Sequence, residues 1–158
     1  MPNARIEEIL RRDSIRSMRI QPVATTPASA RLHEVVAAMQ KRRVAAVVVS
    51  ENDRVVGIFT ERDLLNRIVG LALNENLTIG EVMTPDPRTL SPDDRIADAI
   101  RLMTERGYRH VPLVDAKGKC VGLLSARDIV EFVARHYPKE VINLPPDLNQ
   151  VMRHQDGG

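Results

Sequence analysis

The apolar positions of this chain change period in a fixed order, and the order occurs twice. Residues 32–39 carry Leu32, Val35, Val36 and Met39 at helical spacing, which predicts a helix with one buried face. Residues 45–49 are a continuous apolar, β-branched run, Glu51-Asn52-Asp53 punctuates it, and Arg54 to Phe59 reads as a second strand. That pattern predicts a hairpin buried on at least one face. After Thr60 the helical period returns with Leu64, Leu65, Ile68 and Val69, ending near Gly70. The second round places Ile96, Ala99, Ile100 and Met103 on a helix face, residues 110–114 in a strand, Ala116-Lys117-Gly118 in a turn and residues 119–124 in its partner strand. Ile129, Val130, Phe132 and Val133 fall on the buried side of the last helix.

Punctuation supports the duplication. Val56-Gly57-Ile58-Phe59-Thr60-Glu61-Arg62-Asp63 returns as Val121-Gly122-Leu123-Leu124-Ser125-Ala126-Arg127-Asp128, and Met18 and Pro22 have counterparts in Met83 and Pro87. Thr26-Pro27 and Ser91-Pro92-Asp93-Asp94 read as helix starts, a hydroxyl cap followed by proline. Thr78-x-x-Glu81 reads as a capping box opening a brief linking helix through Met83. Matching the copies needs two one-residue adjustments, both expected beside helix ends, where loops absorb them. Residues 5–12, with Ile6, Ile9 and Leu10, predict a short accessory leading helix. The resulting division is 1–14 leading helix, 15–76 first repeat, 77–137 second repeat, and 138–158 a tail, extended around Pro145-Pro146 and frayed at its end.

Composition narrows the classes. At 158 residues with 43% hydrophobic and 28% charged residues, the chain can bury a core and is not a disordered polymer. A net charge of +2 and 3% aromatic residues give neither the basic stripe nor the stacking platforms of a nucleic-acid binder. Cys120 is the single cysteine, so there is no disulfide framework, and a reducing cytoplasm is the expected compartment. No apolar run is long enough to span a bilayer. The basic cluster Lys41-Arg42-Arg43 ends a helix and reads as dipole compensation. Met18, Met39, Met83 and Met103 read as core filler, and His33, His136 and His154 are too scattered for a metal site.

Chemistry concentrates where each second strand runs into a helix. Thr60-x-x-Asp63 and Ser125-x-x-Asp128 put a hydroxyl, a carboxylate and free backbone N–H groups at a helix N-terminus. This suits a ligand carrying ribose and phosphate, because a carboxylate accepts from sugar hydroxyls and the helix end favours anions. A competing reading is a capping box, worth about 1 kcal/mol to the helix. The two coexist if the hydroxyl caps while the carboxylate faces a cleft. Neither a P-loop, a dinucleotide fingerprint, a nucleophile elbow nor a metalloprotease helix is present, so an enzyme is not expected.

A strand-helix-strand-strand-helix unit present twice, with Gly-apolar-apolar-[Thr/Ser]-x-x-Asp before its last helix, resembles the cystathionine-β-synthase (CBS) domain pair. Arg109-His110-Val111-Pro112-Leu113-Val114-Asp115 is similar to that family's middle strand, and Glu81-Val82-Met83-Thr84-Pro85 to its lead-in. The resemblance covers roughly residues 15–137. It implies an α/β (α+β) fold of two pseudo-symmetric β-α-β-β-α repeats packed through their sheets, with ligand clefts between them. It further implies a regulatory module binding AMP, ADP or ATP, with S-adenosylmethionine or NAD(H) as further candidates and no required cofactor. Carried across, Asp63 and Asp128 become ribose acceptors with Thr60 and Ser125 beside them. Arg62, Arg109, His110 and Arg127 become phosphate contacts, and Thr89 and Pro112 line the base and ribose pocket. A homodimer is implied, with an unidentified protein client as a further partner.

The repeats are not equal. Opposite Arg109-His110-Val111-Pro112 the first has Val44-Ala45-Ala46-Val47, without base or proline. One good nucleotide site is therefore expected, the other being empty, weaker or suited to a less charged adenosine compound. The alternative function is a scaffold for protein association with vestigial pockets, which the apolar run Val141-Ile142-Asn143-Leu144-Pro145-Pro146 would suit.

Overall fold

The computed structural model describes residues 2–20, 22–68 and 75–136. Val69, Gly70 and the whole tail from 138 onward, with the expectations placed on them, lie outside the described residues. Helix α1 (Pro2–Arg12) and a 3-10 turn (Ile15–Ser17) precede the first half, which is β1 (Thr25–Thr26), α2 (Leu32–Arg42), β2 (Ala46–Glu51), β3 (Arg54–Thr60) and α3 (Glu61–Ile68). The second half follows through α4 (Ile79–Val82) and β4 (Thr84–Pro85) to α5 (Ile96–Arg106), β5 (His110–Val114), β6 (Cys120–Ser125) and α6 (Ala126–His136). The mixed α/β architecture expected from the sequence is what the chain adopts.

In the first half β1 runs parallel to β2, β2 antiparallel to β3, and β3 antiparallel to β4, in that spatial order. The second half has the β5–β6 hairpin, flanked by a parallel bridge between Leu90 and Leu113. Alternation along the strands divides the labour of burial. Val47, Val49 and Phe59 join Leu32, Val35 and Met39 in one core, and Val111, Leu113 and Leu124 join Ile96, Ala99 and Met103 in another. Ala46, Val48, Ile58 and Pro112 are buried as well, and β2 meets β6 while β3 meets β5, so the sheets also pack on one another.

Each core is completed by the leader of the opposite half. Ile15 and Met18 are buried among the second-half residues, with Leu10 against them, whereas Ile79 and Val82 are buried in the first-half core, with Met83 against it. Gly57 makes the second exchange possible, since a Cβ there would lie 2.2 Å from Met83 Sδ.

Several local expectations are corrected. Thr26 and Ser91 do not cap helices: Thr26 ends β1, Ser91 to Asp94 forms a turn, and the helices begin at Leu32 and Ile96. The reason is pairing in trans. Arg31 bridges Thr78 and Arg95 bridges Ser14, which holds both residues extended at the N-cap and delays helix onset. The second one-residue slip falls in a hairpin turn rather than beside a helix. The first hairpin closes tightly, with Asn52 and Asp53 both at positive φ (49° and 61°), as a type I′ turn requires. The second uses a longer turn ending at Gly118 (φ 83°). Thus Glu61 N–H donates to Ala45 O where Ala126 N–H donates to Arg109 O, and Arg109-His110 corresponds to Ala45-Ala46, one residue along from the sequence match. Leu65 and Val130 also fall outside the buried faces, at 69% and 67% exposure. They occupy equivalent positions, one step round the helix from Leu64 and Ile129, which do pack inward. The Thr78 capping box forms as expected: Glu81 Oε2 accepts from Thr78 N–H at 2.8 Å and from its hydroxyl at 3.0 Å.

Candidate functional site

A cavity of about 380 Å³ opens between the halves at the N-terminus of α3. One wall comes from the end of β3 and the start of α3, with Ile58, Thr60, Glu61, Arg62 and Asp63. The other comes from the segment joining β4 to the second half, with Thr84, Pro87 and Arg88, and from the turn between α5 and β5, with Arg106 through His110. That turn is tight because Gly107 takes the left-handed conformation (φ 69°) at the C-cap of α5. It carries Tyr108 and Arg109 directly into the cleft. Arg62 Nη1 reaches across to donate to Gly107 O at 3.4 Å.

Of the residues singled out from sequence, Thr60, Arg62, Asp63, Arg109 and His110 come together here. The aspartate belongs to the first half and most of the basic residues to the second. Ser125, Arg127 and Asp128 stand at the equivalent mouth of α6 and do not line this cavity. Arg127 pairs along its own helix with Glu131 at 3.2 Å, both side chains largely exposed. Pro112 is fully buried within β5, and Thr89 opens onto a separate surface depression beside Leu90, Asp94 and Arg101. Thr84, Pro87, Arg88, Arg106 and Tyr108 also line it and were not singled out as site residues. Their signal was present as the segments adjoining Pro87 and the Gly107 helix stop, but only the crossing of the halves gives it a direction.

Both Thr/Ser-x-x-Asp motifs cap their helices. Thr60 N–H and hydroxyl donate to Asp63 Oδ2 at 2.9 and 3.0 Å, and Asp63 N–H donates to Thr60 Oγ1 at 3.2 Å. Ser125 N–H donates to Asp128 Oδ2 at 2.8 Å, answered by Asp128 N–H to Ser125 Oγ at 3.1 Å. Capping does not remove Asp63 from the cleft: the residue lines the cavity, and its other oxygen, Oδ1, accepts from the Thr84 hydroxyl at 3.2 Å.

Electrostatically the cavity is cationic, with four arginines (Arg62, Arg88, Arg106, Arg109) against the carboxylates of Glu61 and Asp63. Burial pushes the His110 imidazole below its ordinary value, opposed by Asp128 and Glu61 and assisted by Arg109, so it lines the cleft as a neutral donor or acceptor near pH 7. Burial likewise raises the Cys120 thiol, which favours its protonated form. Among the described residues no cluster of three or more histidine, cysteine or acidic side chains could hold a metal ion, and no helix is long and apolar enough to cross a membrane. The geometry suits a small ligand with an anionic group for the arginines and a hydroxyl for Asp63.

Comparison with known proteins matches a family model, "CBS domain", to residues 6–70 and 79–135. An uncharacterized protein of Methanopyrus kandleri is 31% identical over 133 residues, 83% of this chain and 63% of the relative. The chain spans less than two thirds of the length of the curated relatives compared, 57% for a mitochondrial CBS domain-containing protein of Arabidopsis thaliana that is 31% identical over 119 residues, 72% of this chain. Its fold matches the crystal structure of CBSX2 in complex with AMP (TM-score 0.66, 22% identity, 77% of this chain and 96% of that one). It also matches the CBS domain pair of protein MJ0100 in complex with 5-methylthioadenosine and S-adenosyl-L-methionine (TM-score 0.69, 20% identity, 78% and 97%).

Proposed function

The chain belongs to the CBS domain family, and from that premise we propose that it is a regulatory module binding an adenine nucleotide between its two halves. The observation that carries this reading is the cavity itself: a helix mouth bearing Thr60 and Asp63 faces Arg88, Arg106, Arg109 and His110 across a volume of about 380 Å³. CBSX2 holds AMP and the MJ0100 pair holds adenosine-based sulfonium and thioether ligands, which supports an adenosine compound here. Four arginines favour AMP, ADP or ATP over S-adenosylmethionine, whose sulfonium would add a cation to a cationic wall. The role assigned is binding and regulation rather than catalysis.

A titration and thermal-shift panel of AMP, ADP, ATP, adenosine, S-adenosylmethionine and NADH tests it. A ligand at 100 times its Kd stabilises the fold by about 2.7 kcal/mol, and the phosphorylated nucleotides should do so selectively. An absence of selective stabilisation across the panel would leave the scaffold reading. That reading has its own support in Leu65 and Val130, exposed at equivalent positions of α3 and α6, which suit self-association of two copies. A nucleotide-responsive homodimer accommodates both observations.

A further inference from the structure

The Asp63 carboxylate is more fully engaged than that of Asp128. Its Oδ2 already accepts two bonds from Thr60, and its Oδ1 accepts the Thr84 hydroxyl at 3.2 Å. Thr84 is held in that donating role. Arg67 Nη2 donates to Thr84 Oγ1 at 3.1 Å, so the threonine proton must turn to Asp63. Arg67 is itself anchored on Met83 O at 2.8 Å, with Nε standing 3.7 Å from Asp63 Oδ1. A carboxylate offers about four lone-pair directions. With three taken, one remains on Oδ1, bordered by Arg67. The second half lacks this relay: Phe132, in the place of Arg67, is buried in the core, and Arg19 holds the place of Thr84.

We infer that Thr84 and Arg67 set the sugar specificity of the Asp63 cleft, so that it reads one ribose hydroxyl rather than the vicinal pair. This rests on the proposal that an adenine nucleotide binds there. The acceptor capacity left on Asp63 is for one donor, and the second sugar hydroxyl finds no place on the carboxylate while Thr84 donates to it. The relay also ties specificity to the crossing segment, because the residues that restrict Asp63 belong to, or are anchored on, the chain just before it enters the second half.

The test compares AMP, 2′-deoxy-AMP and 3′-deoxy-AMP by titration, with Asp128→Ala present throughout to silence the equivalent end of α6. One deoxy analogue should lose on the order of tenfold or more in affinity and the other should bind within about twofold of AMP, as expected for one charge-assisted hydrogen bond. Thr84→Val keeps the side-chain shape and removes the donor. It should tighten AMP and make both deletions costly by a similar factor, with Thr84→Ser restoring the original pattern. A purely structural role for Thr84 would weaken all three nucleotides alike. Equal losses for both analogues before mutation, or unchanged ratios in Thr84→Val, would overturn the inference while leaving nucleotide binding intact. Failure of AMP itself to bind would overturn the nucleotide proposal and this inference together.

Discussion

Substituting Gly57 by alanine tests the crossing of the halves and its link to the cleft. The added Cβ would stand 2.2 Å from Met83 Sδ and 3.0 Å from Met83 Cγ, so the methionine must give by more than 1 Å. Gly57 is also paired to Pro85 across β3 and β4, which limits how far the backbone can retreat. Overpacking of this kind costs about 1–3 kcal/mol, and for a chain of this size that lowers Tm by roughly 3–10 °C. Met83→Ala alone should also destabilise, by removing a side chain packed on the first core. The double variant, however, relieves the collision, so urea or thermal unfolding should show at least about 1 kcal/mol of favourable coupling. Strict additivity, or a Gly57→Ala cost below about 0.5 kcal/mol, would refute the claim that this glycine exists to admit Met83. Because Met83 O anchors Arg67 and Thr84 follows it, Gly57→Ala should also change the ratio of AMP to deoxy-AMP affinities.

Other expectations concern the cleft and surface. Arg109→Ala should reduce affinity for AMP by about tenfold or more while changing adenosine affinity far less, and the phosphate-dependent part should diminish with salt. His110 has a folded value below its ordinary 6.5, chiefly from burial; the unfolded chain therefore takes up the proton first. The stability it contributes is present above about pH 6.5 and is lost as pH falls toward the folded value, so His110→Gln should flatten that acid limb in pH-dependent unfolding. Ser125→Ala removes the cap of α6 and should cost about 1 kcal/mol by denaturant titration. Leu65→Glu with Val130→Glu should shift any dimer toward monomer in sedimentation, without lowering monomer stability appreciably.

The sequence made the two halves, their hairpins and the inward helix positions legible because each rests on local periodicity. Leu32, Val35 and Met39, and again Ile96, Ala99 and Met103, are buried as their spacing requires. What escaped was set by partners distant along the chain. Met18 and Met83 are recognisable as counterparts, yet nothing in either segment says that each serves the opposite core. Helix onset at Leu32 rather than Thr26 follows from the Arg31 bridge to Thr78, a contact invisible to capping rules. Arg88 and Arg106 look like ordinary surface cations until the folded chain sets them across from Asp63. The outward placement of Leu65 and Val130 needed the exact rotation of each helix, which an apolar doublet leaves ambiguous.

The exchanged leaders also fix an order of events during synthesis. Ile15 N–H finds its acceptor in Asp94 and Ile96 N–H in Asp13, so the apolar segment around Ile15 has no berth until the second helix pair emerges. At about 5–20 residues per second, that segment waits several seconds, solvated or chaperone-bound. A nascent chain arrested shortly before residue 96 should therefore be far more susceptible to protease around Ile15 than one released after α6 has been made.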